Sequence, residues 1–142
     1  MYEKLYFDNP SGKSLHYLKY VPANAAEAEK MPLLIFMHGA GERGEADGSE
    51  VELVARHGYF KHIANGEEFP FIMVAPQCPK NNYWGSYVES LNEFLDYIIA
   101  ENNIDTDRIY LTGLLWAVRL HGFGRWEIPN ALRRSRPYAV RV

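Results

Sequence analysis

The chain has 142 residues, 47% of them hydrophobic and 23% charged, with a net charge of −3. That is one domain's worth of ordinary globular sequence, able to bury roughly 70% of its unfolded surface. It excludes a helical membrane span, which needs ~20 consecutive apolar residues, and an internal disulfide framework, since Cys78 is the single cysteine.

The N-terminus shows no basic stretch followed by an apolar one, so no secretory leader is expected. With the lone cysteine this predicts a reducing, cytoplasmic location. The net charge conceals two unlike parts. Residues 1–114 hold nine Lys and Arg against seventeen Asp and Glu, a balance of −8. Residues 115–142 hold six Arg, no Lys and one acid, a balance of +5. A change this sharp inside one domain length needs a cause.

In chain order, residues 15–21 alternate and carry aromatics, which predicts a strand ended by Pro22. Residues 24–30 form a polar, Ala-rich connection with some helical character. The apolar run 32–37 is too short for a typical helix and suits a strand buried on both faces. It ends in the Gly-rich loop His38-Gly39-Ala40-Gly41-Glu42-Arg43-Gly44. Short helical pieces are expected over 51–57 and 59–64, and 71–75 repeats the buried-strand pattern before Pro76. Residues 87–102 are the clearest helix. Tyr87, Val88, Leu91, Phe94, Leu95, Ile98 and Ile99 make one apolar stripe, and Asn102-Asn103 closes it. Asp105-Thr106-Asp107 then leads into a strand over 108–112. Strand, helix and strand of this kind predict a right-handed βαβ crossover in a largely parallel sheet.

The stretches PLLIFMHGAGERG, FPFIMVAPQCP, YW and NIDTDRIYLTGL, in this order, resemble the α/β-hydrolase superfamily. Within it they are most similar to dienelactone-hydrolase and carboxylesterase-like serine hydrolases. The likeness covers about residues 12–114, so the fold expectation is a partial α/β-hydrolase fold, a mostly parallel sheet with flanking helices and no C-terminal half. The division expected is 1–114 for that half-domain and 115–142 for an Arg-rich, poorly ordered tail. An open sheet cut at its middle strand is expected to leave an unpaired edge, which favours self-association.

The resemblance implies acyl transfer from a carboxylic ester to water without a cofactor. A Ser attacks, a His takes its proton and an Asp orients the His. The oxyanion is held by one backbone N–H after the nucleophile and one in the His-Gly-x-Gly loop. By position the loop donor is the N–H of Ala40, and Gly39 and Gly41 let the backbone approach a small ester substrate. His38 precedes the nucleophile position, whereas the base normally follows it in this fold, so His38 is expected to fix the loop. His38, Gly39, Gly41 and Trp84 make up the expected substrate-binding surround, with Tyr83 beside Trp84 at the rim. Glu42 and Arg43 form an ion pair shaping the pocket or a solvated pair. Cys78 is expected to be a small buried residue. No metal-ligand spacing and no phosphate loop occur.

The nucleophile itself is missing. The elbow motif is Gly-x-Ser-x-Gly on a strand-to-helix turn, and here Gly113-Leu114 is followed by Leu115, whose alkyl side chain cannot attack a carbonyl. Ser49, Ser86, Ser90 and Ser135 are expected on no such elbow, and His121 and Glu127 stand in no family context. A lost base is the expected cause of the break, the alternative being a genuine, divergent Arg-rich end. Shifted by one base, the degenerate codons from Leu115 permit Met-Gly-Gly, then Thr-Trp, then NPERFAALAPVCG, the words this family uses after its Ser. The chain as given is therefore expected to be inactive, the alternative being a non-catalytic remnant that binds a small acyl ligand. The Arg-rich end lacks aromatic interleaving, so nucleic acid is not an expected partner, and neither is a membrane.

Overall fold

The computed structural model describes residues 1–113 and 140–141. Leu115, His121, Glu127 and the expectations for the Arg-rich tail lie outside the described residues. The strands are β1 (Tyr2–Phe7), β2 (Leu15–Tyr20), β3 (Met31–Met37), β4 (Ile72–Pro76), β5 (Ile104–Gly113) and β6 (Val140–Arg141). They make one sheet in the order β1-β2-β4-β3-β5-β6. Helix α1 (Gly58–Ala64) lies between β3 and β4, and α2 (Val88–Glu101) between β4 and β5. Short 3₁₀ helices occupy Ala23–Ala26, Ala40–Glu42, Val51–Arg56 and Trp84–Tyr87.

The sheet is mixed, with the parallel character expected of it confined to the centre. β4, β3 and β5 run parallel, while β1, β2 and β6 join antiparallel. The edge of β5 opposite β3 was expected to be open. It is met at Tyr110 and Leu111 by Arg141 and Val140, which gives those edge groups hydrogen-bond partners.

The two-residue period of a strand sends alternate side chains to opposite faces, and β3 uses both. Leu33, Ile35 and Met37 join Ile72, Val74 and Ile109 under Leu91, Phe94 and Ile98 of α2. Leu34 and Phe36 face the other way with Met73 and Ala75, under Val54, Phe60 and Ile63. This double burial is why β3 and β4 read as unbroken apolar runs.

The start of β5 differs from expectation for a local reason. Pro32 has no N–H to give to a ladder, and there the register jumps from Met31–Ile104 to Leu33–Ile109. The extra residues of β5 bulge out, held by Asp105, which accepts from Asp107 N–H at 3.0 Å and Arg108 Nε at 2.6 Å. α2 ends where expected, with Asn102 Nδ2 donating to the Ile98 carbonyl at 2.8 Å.

Candidate active site

In a sheet with parallel central strands, ligand sites form beyond the carboxyl ends of those strands. Three segments meet there: the loop 38–44 after β3, the loop 77–84 after β4, and Gly113 at the end of β5, paired with Met37. Gly113 is tightly placed, since a Cβ on it would lie 2.5 Å from the Met37 carbonyl oxygen.

His38 has no exposed surface. Its Nε2 accepts the Cys78 N–H at 2.8 Å, and its Nδ1 lies 2.6 Å from the Gly39 carbonyl oxygen. An amide N–H only donates and a carbonyl only accepts, so the proton sits on Nδ1 and the ring is neutral. Burial is the main cause that lowers its pKa to about 4, against smaller upward effects from the Gly39 carbonyl and Glu42. Trp84 lies against the ring at 5.0 Å between centroids and donates Nε1–H to the His38 carbonyl at 3.2 Å.

The turn that follows is shaped by Glu42. Its Oε2 accepts the Gly39 N–H at 2.9 Å, while its own N–H donates to the Gly39 carbonyl at 3.3 Å. Arg43 Nε donates to the Ala40 carbonyl at 3.0 Å and Nη1 to the Asn82 carbonyl at 3.1 Å. Gln77 Nε2 donates to the carbonyls of Glu42 and Glu50 at 2.9 and 2.8 Å.

These bonds fix which way the loop amides point. Every peptide here is trans, so each N–H is directed opposite to the carbonyl of the residue before it. The Gly39 carbonyl is turned inward onto His38 and Glu42, and therefore the Ala40 N–H is turned outward. The Ala40 carbonyl is held by Arg43, and the Gly41 N–H points away from it. Neither N–H has an acceptor among the described residues. Ala40 is half-buried, Gly41 is exposed, and a Cβ on Gly41 would meet nothing within 4 Å. The arrangement leaves both N–H groups outside the hydrogen bonds that hold the turn.

No family model matches the sequence, and no curated protein matches it. Among solved structures the chain is similar to a thermostable esterase, at 28% identity and a TM-score of 0.57 over 80% of this chain and 34% of that one. This is part of an α/β-hydrolase fold. A ferulic acid esterase matches at 23% identity and TM-score 0.57, over 82% of this chain and 50% of its own. A ferulic acid esterase from the anaerobic fungus Anaeromyces mucronatus matches at 15% identity and TM-score 0.55, over 84% and 51%. The chain thus spans a third to a half of the length of these structures.

Within the α/β-hydrolase frame the residues singled out from sequence fall into two groups. Gly39, Ala40 and Gly41 come together at the strand end. His38 and Trp84, expected to line the substrate surround, are fully buried; their polar atoms are spent on Cys78, Gly39 and one another, so they hold the loop from beneath. Tyr83, beside Trp84, is 58% exposed. Cys78 is buried and burial pushes its thiol up to about 11. Gln77 and His57 carried no expectation. Gln77 directly follows a buried strand, which was the available signal; nothing in the sequence marks His57.

Proposed function

We propose that this chain carries the oxyanion side of a serine-type carboxylic-ester hydrolase and does not itself turn over esters. The supporting observation is the Gly39 carbonyl held by His38 and Glu42, which turns the Ala40 N–H the other way, beyond the end of β3 and near the strand end at Gly113. In the complete mechanism a Ser Oγ attacks the ester carbonyl and passes its proton to a His. The carbonyl oxygen becomes an oxyanion received by the Ala40 N–H and by the N–H after the nucleophile. The alcohol leaves with the proton, and water then releases the acid from the acyl-enzyme. Leu115 at the nucleophile position supplies no attacking atom. Among the described serines, Ser90 Oγ accepts from Lys13 N–H and Ser86 Oγ donates to the Tyr83 carbonyl, neither at an elbow.

The esterase neighbours make short-chain and aromatic-acid esters the first substrates to try. With p-nitrophenyl acetate, methyl ferulate and a fluorophosphonate probe, the chain as given is expected to show neither turnover nor Ser labelling. A version with the lost base restored and the frame read on through the coding DNA that follows is expected to show both. Activity in the first would refute the nucleophile argument, and inactivity in the second would refute the esterase reading. The open space over Gly41 supports a second reading, a remnant that binds a small acyl ligand; acetate or ferulate binding by the unrestored chain, without turnover, distinguishes it.

A further inference from the structure

Glu42 is a carboxylate 7% exposed, and a charge so far from water needs compensation. One oxygen has it in the Gly39 N–H. The other, Oε1, lies 3.4 Å from Nε2 of His57, whose side chain is 58% exposed and which immediately precedes α1. A neutral imidazole gives this contact little. A protonated one makes it an ion pair with a mostly buried anion, where screening is weak.

The titratable and charged groups around the pair can be named. His38, at the end of β3, feels both Glu42 and Arg43, but burial keeps it neutral down to about pH 4. Arg43 stays charged throughout and binds two loop carbonyls. Arg56 neighbours His57 in the chain and is likewise always charged. His57 is the member of this set that meets the carboxylate from another element, at the entry to α1.

From this contact we infer that Glu42 is the positioning residue of the 39–41 turn and that His57 sets its grip. With the imidazole protonated, the carboxylate is held over the Gly39 N–H, the Gly39 carbonyl stays inward, and the Ala40 N–H is kept outward. Losing that proton slackens the turn. The proposed function enters only in saying what the Ala40 N–H is for; the turn itself is measured without any ester, so the two stand or fall separately.

Amide hydrogen exchange of the ¹⁵N-labelled full chain, corrected for intrinsic rates, reads the grip at Gly39. Between about pH 5.5 and about pH 8 the wild-type protection factor at Gly39 is expected to fall by about fivefold or more, a modest part of a charge-assisted contact. In H57Q, an exposed and mild change, the pH dependence is expected to vanish at the lower level. E42Q is expected to lose about tenfold or more at both pH values, as removal of a hydrogen bond to a charged acceptor does. A flat wild-type profile, or an H57Q profile that still falls with pH, overturns the inference; H57Q decides it even if E42Q fails to fold.

Discussion

The buried neutral ring of His38 makes acid stability the sharpest test of this loop. Its pKa lies at about 4 in the folded chain against about 6.5 for a free histidine. Between those values the unfolded chain binds a proton that the folded one refuses, so stability rises with pH across that window. The contribution is fully present above about pH 6.5 and is lost as pH falls through about 4. The gap corresponds to about 3 kcal/mol, a large share of the stability of a small domain. The perturbation is His38→Gln, which retains a donor for the Gly39 carbonyl and an acceptor for the Cys78 N–H but does not titrate. Urea unfolding followed by tryptophan fluorescence gives the free energy at about pH 7.5 and about pH 4.5. Wild type is expected to lose about 2–3 kcal/mol more than the variant between the two conditions. Carboxylates such as Asp47, Glu50 and Asp105, whose pKa values are lowered by their hydrogen-bond partners, add acid sensitivity to both chains alike and cancel. Parallel losses in the two proteins would show that His38 accepts a proton in the folded state and that the tautomer assigned from its two partners is wrong.

Other outcomes follow from packing at the same end of the sheet. Gly113→Ala forces a methyl group against the Met37 carbonyl, a backbone atom that cannot swing aside, so a loss of about 1–3 kcal/mol in urea unfolding is expected; an unchanged midpoint would mean that β5 leaves β3 earlier than Gly113. Cys78, buried with its thiol raised to about 11, is expected to react with a thiol reagent at neutral pH only at the rate of unfolding. Complete labelling within the mixing time would place the thiol at the surface.

What the sequence disclosed follows the strength of local pattern. β3 and β4 were legible because both faces are covered, which forces an apolar residue at nearly every position. α2 was legible because one covered face imposes the 3.6-residue stripe that carries Leu91, Phe94 and Ile98. β1 went unnoticed. It is an edge strand with Glu3, Lys4 and Tyr6 exposed, and its order Tyr-Glu-Lys-Leu-Tyr-Phe keeps no two-residue period. The start of β5 was placed at Arg108 because Asp105 and Asp107 look like a turn; they are the bulge that Pro32 imposes on its neighbour. At the site, the glycines and His38 announced a loop beyond a strand. Exposure did not announce itself: Tyr83 and Trp84 are adjacent, aromatic and alike on paper, yet one is 58% exposed and the other fully buried. That difference is set by whether an indole N–H meets the His38 carbonyl, a contact 46 residues away in sequence.

The long separation of those contacts bears on how the 39–41 turn takes its shape. The hydrogen bonds described that orient the 39–41 turn come from β3, from the turn itself, or from the loop after β4, through Cys78, Gln77, Asn82 and Trp84, and His57 before α1 touches Glu42. None of them draws on a residue beyond Gly113. Those bonds accompany the packing of β3 against β4, and that packing is held by the two clusters on either face of the sheet. A change confined to Leu115 and its successors therefore touches none of the groups that orient the turn. The 39–41 turn is a product of the strand pair β3 and β4.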